Sequence, residues 1–502
     1  MKYQCTRDSS VTVTASQAIV QGIAKNGGLF VPETLPAYTL ADLTAMNGQS
    51  YFDRAAKVVS DFLPEFTPEE IEECVQGAYG GGKFSGGHPA PVVAVKDGDC
   101  AMNILELWHG PTCAFKDMAL QLLPHLLTHS LRKTKCEKTA VILVATSGDT
   151  GKAALEGFKD VKGTEMLVFY PENGVSPMQK RQMNTQEGSN VSVCAIEGNF
   201  DDAQTGVKKL FVDPAINEKL HANGMLFSSA NSINWGRLLP QIVYYVSAYS
   251  DLMERGAIQP GDPINVVVPT GNFGNILAGY YASKMGLPVN KFICASNSNN
   301  VLTDFLKTGE YNRNRDFHAT ISPSMDILIS SNLERLLYDV TGHDCKKVAG
   351  WMQELSEKGC YKVDDETFQK ISAVFDAGFC SDEDTKKTIR QVYDNAGYLC
   401  DTHTAVAVKV YEDYVARTGD KTPTVIDSTA SPYKFASSVL SAVDDQYDDK
   451  MDEFDKVERL SKLTGTEVPA PIAGLKEKPV RFQNVCEKEQ MGDVLLRLLG
   501  LA

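Results

Sequence analysis

Between about residues 90 and 300, short apolar runs alternate with stretches of helix length, and no other feature narrows the possible folds as much. The runs are PVVAV at 91–95, AVILVAT at 140–146, EMLVFYP at 165–171, VSVCAIEG at 191–198, MLFSSA at 225–230, INVVVP at 264–269 and KFICASN at 291–297. Between them lie helical patterns: Asp117 to Lys133, the small-residue stretch Gly151 to Phe158, a segment around Asp201 to Leu210, and Gly274 to Gly286. Short runs with hardly a polar residue suit strands covered on both faces, and helices between them make the connections parallel. The rhythm therefore predicts βαβ units on mostly parallel sheets.

The 502 residues leave room for roughly two to four domains. Residues 1–85 mix short strand and helix signals, and the glycine-rich stretch from Gly80 to Gly87 reads as a seam. Residues 86–345 form the expected α/β core, two interleaved subdomains with the small one at about 100–230. Residues 346–502 are more helical and more charged, with PTVIDSTAS at 423–431 as one further strand, and are expected to complete the large domain. The acidic stretch from Val443 to Asp455 reads as a solvated helix face or surface loop.

The formal charge of −15 disfavours nucleic acid and anionic membrane surfaces as partners, so an anionic ligand needs a local pocket. No run of about 18 apolar residues exists, and MKYQCTRDSS carries no apolar export signal. The 12 cysteines form no C-x-x-C pair, and the one H-x-x-x-H pair among the eight histidines, His125 and His129, lacks the Glu of H-E-x-x-H. A cytoplasmic protein with reduced thiols and no metal is expected.

Three segments carry chemistry. In Val266 to Gly279, a buried strand passes through Gly271-Asn272-Phe273-Gly274-Asn275 into a small-residue helix, so main-chain N–H groups and a helix N-terminus converge on a place suited to a phosphate monoester. A plain tight turn is the alternative. Phe273 stands where G-x-G-x-x-G needs glycine, and no Lys-Ser/Thr follows, so nucleotide motifs do not fit. In Val141 to Ala154, the loop Thr146-Ser147-Gly148-Asp149-Thr150 opens a second helix and suits a carboxylate, or else Ser147, Asp149 or Thr150 only caps that helix. In Leu107 to Ala119, Lys116 sits among aromatic, apolar and small residues, where desolvation favours the neutral amine that a Schiff-base lysine needs. His109 reads as a structural histidine and Asp117 as a helix cap. Weaker signals are Ser228 to Arg237, fit for a bidentate anion, and the hydroxyls of Asp427 to Pro432, fit for a ring nitrogen.

The order of these segments resembles the threonine synthase family, pyridoxal-phosphate enzymes of the tryptophan synthase β-like fold. The likeness runs from Tyr3–Arg7 and Ala24–Glu33 through His109–Thr112, Phe115–Asp117, Ser147–Gly151 and Ala230–Asn234 with Arg237 to Gly271–Asn275, over most of residues 1–440. It implies fold type II: two mostly parallel α/β domains with the cofactor in the cleft, an N-terminal α+β domain and a helical C-terminal region.

It further implies that Lys116 joins pyridoxal 5'-phosphate, that Gly271, Asn272, Phe273, Gly274 and Asn275 hold its phosphate, and that Thr429 faces its ring nitrogen. Ser147, Asp149 and Thr150 would lie against the substrate carboxylate and the cofactor's phenolic oxygen, with Asn231, Ser232 and Arg237 on the phosphate of O-phospho-L-homoserine. The implied reaction gives L-threonine and phosphate by γ-elimination and water addition at the β-carbon, with Lys116 as base, in a monomer or homodimer. Where the family reads TAHPAKF this chain has Thr429-Ala-Ser-Pro-Tyr-Lys-Phe435, with Ser431 in place of the histidine. Two alternatives stand beside it: a phospho-lyase releasing 2-oxobutyrate, ammonia and phosphate, and a non-catalytic cofactor-binding protein.

Overall fold

A computed structural model describes residues 1–98, 100–146 and 148–502. The predicted parallel α/β architecture is present as two sheets. A five-stranded, wholly parallel sheet has the order Val485–Glu487, Val191–Glu197, Thr164–Pro171, Thr139–Ala145, Met225–Ser228. A six-stranded sheet has the order Phe375–Phe379, Val289–Ser296, Ile264–Pro269, Thr424–Ser428, Cys100–Glu106, Val92–Asp97. Its neighbours are parallel except at the last edge, which is antiparallel. Two interior strands, at Val141–Val144 and Val266–Val268, are at most 1% exposed, as helices on both faces require. The N-terminal region adds a three-stranded antiparallel sheet and the helices Tyr51–Phe62 and Pro68–Tyr79, each opened by a capping box from Ser50 or Thr67.

Several expectations need correction. Val92–Asp97 does not begin a βαβ unit; it pairs antiparallel with Cys100–Glu106, a strand without a clean apolar run. That second strand belongs to the large sheet, beside Thr424–Ser428, and not to the small unit expected at about 100–230. The chain end does not complete the large domain, because Val485–Glu487 extends the small sheet and Met491, Val494 and Leu495 pack on that sheet's core. The helical pattern after Lys116 breaks into Lys116–Leu120 and Leu123–Lys133, since Pro124 has no N–H to give the preceding turn and sits comfortably only in a helix's first turn. The acidic stretch needs no correction: it is a surface turn between the helices Ala436–Val443 and Glu453–Thr464, where Arg459 pairs with Asp444.

Candidate active site

Lys116 begins a short helix after a loop held from within: Thr112 donates to Asp117 from its N (2.8 Å) and its Oγ1 (2.7 Å). The same loop lies along the end of strand Thr424–Ser428. Phe115 N donates to Thr429 O at 2.8 Å, Ser431 N to Cys113 O at 3.0 Å, and Ala114 bridges Ala430. Two segments more than 300 residues apart thus set Thr429 beside Lys116. Burial pushes the Lys116 amine down to about 8; Asp149 opposes this, while the nearby cations Arg237 and Lys434 add to it.

Asp149 opens the helix Asp149–Phe158 but does not cap it. Thr146 Oγ1 accepts from Gly148 N (3.0 Å) and Gly151 N (2.9 Å), which excludes the reading of Asp149 or Thr150 as a cap. The carboxylate instead meets Lys434 Nζ (3.0 Å) and Gln179 Nε2 (3.0 Å) at Oδ1, and Ser324 Oγ (3.3 Å) at Oδ2. Burial alone would raise its pKa, but the charges of Lys434 and Lys116 hold it below the usual carboxylate range. Gly148 has φ +135°, and a Cβ there would lie 2.3 Å from the Gln179 side chain, so only glycine brings the loop this close. Ser147 lies outside the described residues.

In the Gly271–Asn275 turn the left-handed residue is Phe273, φ +64°, not a glycine, and its ring is buried. Gly271 is required for a different reason: a Cβ would stand 2.7 Å from the main-chain oxygen of Ser324. The helix Gly274–Lys284 has no side-chain cap, which leaves its first N–H groups available to an anion. Asn272 is exposed, whereas the Asn275 side chain turns inward, its Oδ1 accepting from Tyr244 and, at 2.7 Å, from Tyr245.

Arg237 lies in the first turn of the helix Trp235–Glu254, 3% exposed. Its Nη1 donates to Ala230 O at 3.0 Å, its Nε has no partner among the described residues, and burial pushes it down to about 10. A buried guanidinium with an orphaned donor fits an anion. Asn332 ties this turn to the previous one, its N donating to Asn272 O (3.1 Å) and its Nδ2 to Ser232 O (3.2 Å). Asn231 is exposed and Ser232 and Thr150 are half-buried, all at the rim.

Four further residues belong here. Lys434, fully buried, also donates to Thr112 O at 2.8 Å. Gln179 and Ser324 complete the shell of Asp149. His403 Nε2 accepts from Ser324 N at 3.2 Å while its Nδ1 pairs with Asp401 Oδ2 at 2.7 Å. Only Lys434 left a trace in the sequence, as a lysine inside an otherwise apolar and hydroxyl segment. Ser431 caps the turn Pro432–Phe435 that delivers Lys434. His109 is structural as expected, bonded to Glu106 (2.8 Å) and Ser85 (2.9 Å) and stacked on Trp108.

An amine of depressed pKa, an uncapped helix N-terminus behind a close-approach glycine, and a buried strand-end hydroxyl fit pyridoxal phosphate, and with two mostly parallel sheets they define a pyridoxal-phosphate protein of fold type II. Family models agree in chain order: "Threonine synthase N terminus" over residues 2–79, "Pyridoxal-phosphate dependent enzyme" over 103–426, and "Threonine synthase, C-terminal" over 404–494. Threonine synthase of Pseudomonas aeruginosa is 39% identical, over 88% of this chain and 90% of its own. Human threonine synthase-like 1 is 42% identical over 85% of this chain, which spans only 58% of that longer protein. The crystal structure of PLP-bound threonine synthase from Brucella melitensis superposes with a TM-score of 0.87 at 36% identity, covering 99% of both chains. The chain belongs to the threonine synthase family. Among the described residues no helix is long and apolar enough to cross a membrane.

Proposed function

We propose that this chain converts O-phospho-L-homoserine and water to L-threonine and phosphate, using Lys116 as the base. One observation carries the reading: the uncapped turn at Phe273 and the buried guanidinium of Arg237 offer two places suited to an anion, and Lys116, which feels the charge of Arg237, is an amine of depressed pKa. A protein that only carried the cofactor would need one anion site. Pyridoxal phosphate, when bound, supplies the electron sink that makes the substrate's carbon-bound protons removable.

Lys116, held near 8, has a substantial neutral fraction at physiological pH, so it can take a proton from the substrate and return it. Main-chain N–H groups of Gly271 to Asn275 hold the cofactor phosphate, and Thr429 offers its hydroxyl to the ring. Arg237 grips the substrate phosphate, with Asn231 and Ser232 at the rim and Ser147 and Thr150 toward the carboxylate. Asp149 acts through Lys434: a carboxylate repels another anion, but fixed against Lys434 it orients an ammonium that attracts one.

The test is product analysis. Protein supplied with cofactor and O-phosphohomoserine should release phosphate and threonine in equal amounts. Lys116→Ala should abolish turnover, and Arg237→Met should raise KM for the phosphorylated substrate at least tenfold. Release of 2-oxobutyrate and ammonia would favour the phospho-lyase reading, which rests on Ser431 standing where the family pattern has histidine. No phosphate release would overturn both.

A further inference from the structure

Behind the phosphate turn lies a polar cluster that the reaction does not use. Asp427, fully buried two residues before Thr429, has Oδ2 2.7 Å from the Tyr245 hydroxyl. That hydroxyl is also 2.7 Å from Asn275 Oδ1, which the Tyr244 hydroxyl contacts as well; Tyr244 in turn lies 3.2 Å from Gln241 Oε1. Among the described residues Asp427 Oδ1 and Asn275 Nδ2 make no well-formed hydrogen bond, although Asn275 lies toward the Asp427 carboxyl and, like the Tyr245 hydroxyl, works against the effect of burial there. The groups facing Asp427 are Tyr245 and Tyr244 on the helix Trp235–Glu254 and Asn275 on the helix Gly274–Lys284; no lysine, arginine or histidine is among them.

The protons can be counted. Tyr245 has one, yet sits at hydrogen-bond distance from two acceptor oxygens. If Asp427 were ionised, that proton would go to the carboxylate, and Tyr245 would face Asn275 Oδ1 lone pair to lone pair. Rotating the amide by half a turn would remove that clash but turn Asn275 Oδ1 toward the carboxylate instead of Nδ2. If Asp427 carries the proton, both contacts of Tyr245 are made: Asp427 donates to Tyr245 and Tyr245 to Asn275, while Tyr244 donates to Asn275 and leaves its longer contact with Gln241 unmade. Burial, which pushes Asp427 up to about 7, agrees with this arrangement.

We propose that Asp427 is a neutral carboxylic acid that serves as a positioning residue, tying the phosphate turn through Asn275 to the strand end bearing Thr429. Its neutrality keeps the base of the turn free of a negative charge that would repel the cofactor phosphate. The repulsion part rests on the phosphate placement proposed above; the protonation part does not.

Two readouts on holoenzyme separate them. Infrared spectra at slightly acidic pH should show a protonated-carboxyl C=O band that Asp427→Asn removes. Compared at each pH with Asp427→Asn, in which the titration of Lys116 is the same, the cofactor dissociation constant should become about tenfold higher as pH climbs through the neutral range, where a buried charge at effective dielectric 20 appears under the turn. Absence of the band overturns the protonation. A band present with no difference in pH profile overturns the phosphate placement instead. Should Asp427→Asn not fold, Tyr245→Phe must shift the band's frequency and the pH of the step, and an unmoved band and step would overturn the proposal.

Discussion

Replacing Lys434 by methionine strands a carboxylate, and the cost follows from the geometry. Lys434 and Asp149 have side chains 0% and 4% exposed and meet at 3.0 Å. At an effective dielectric of 20 their gross attraction is about 5–6 kcal/mol. Desolvation consumed much of that when the pair was buried, but removing one partner does not return it, so Lys434→Met should cost about 3–5 kcal/mol. Gln179 and Ser324 still solvate Asp149 and keep the loss toward the lower end. Asp149→Leu should cost a similar amount by stranding the ammonium. The double variant strands no charge, only the neutral groups Thr112 O, Gln179 Nε2 and Ser324 Oγ, and should be more stable than either single variant, giving a coupling of roughly 3 kcal/mol. Calorimetric melting of the four proteins in one buffer measures the cycle. Additive losses, or a Lys434→Met protein within about 1 kcal/mol of the parent, would refute the claim that this buried pair organises the site.

Gly271→Ala drives a methyl to 2.7 Å from the Ser324 carbonyl, a main-chain atom that cannot rotate away. It should cost about 1–3 kcal/mol and weaken cofactor binding, read by equilibrium dialysis, while Gly350→Ala, with open space at its Cβ, should change neither. Capture of the cofactor by apoprotein requires the neutral Lys116 amine, which lies near 8. The capture rate should therefore rise about tenfold per pH unit below that value and level off above it, whereas a midpoint near 10 in stopped-flow absorbance would place Lys116 in water.

The chain's own order of residues determined a good deal. Unbroken apolar runs such as Val266–Val268 and Val141–Val144 declare strands buried on both faces, because a strand wetted on one side would alternate. Lys116 among apolar neighbours and the turn around Phe273 were also legible, since a short stretch already contains the desolvation and the helix N-terminus that give them their chemistry. Partners far apart in sequence left no such mark. Nothing local says that Cys100–Glu106 pairs with Thr424–Ser428, that Val485–Glu487 crosses to the other sheet, or that Lys434 reaches Asp149. His403 and Ser324 reach the site by contacts that no spacing encodes. Asp427 looked like a strand-end polar residue until two tyrosines and an asparagine closed over it. Periodicity records which side of each segment is dry; which segments then meet, and whether a carboxyl in their midst keeps its proton, is decided by packing and proton count in three dimensions.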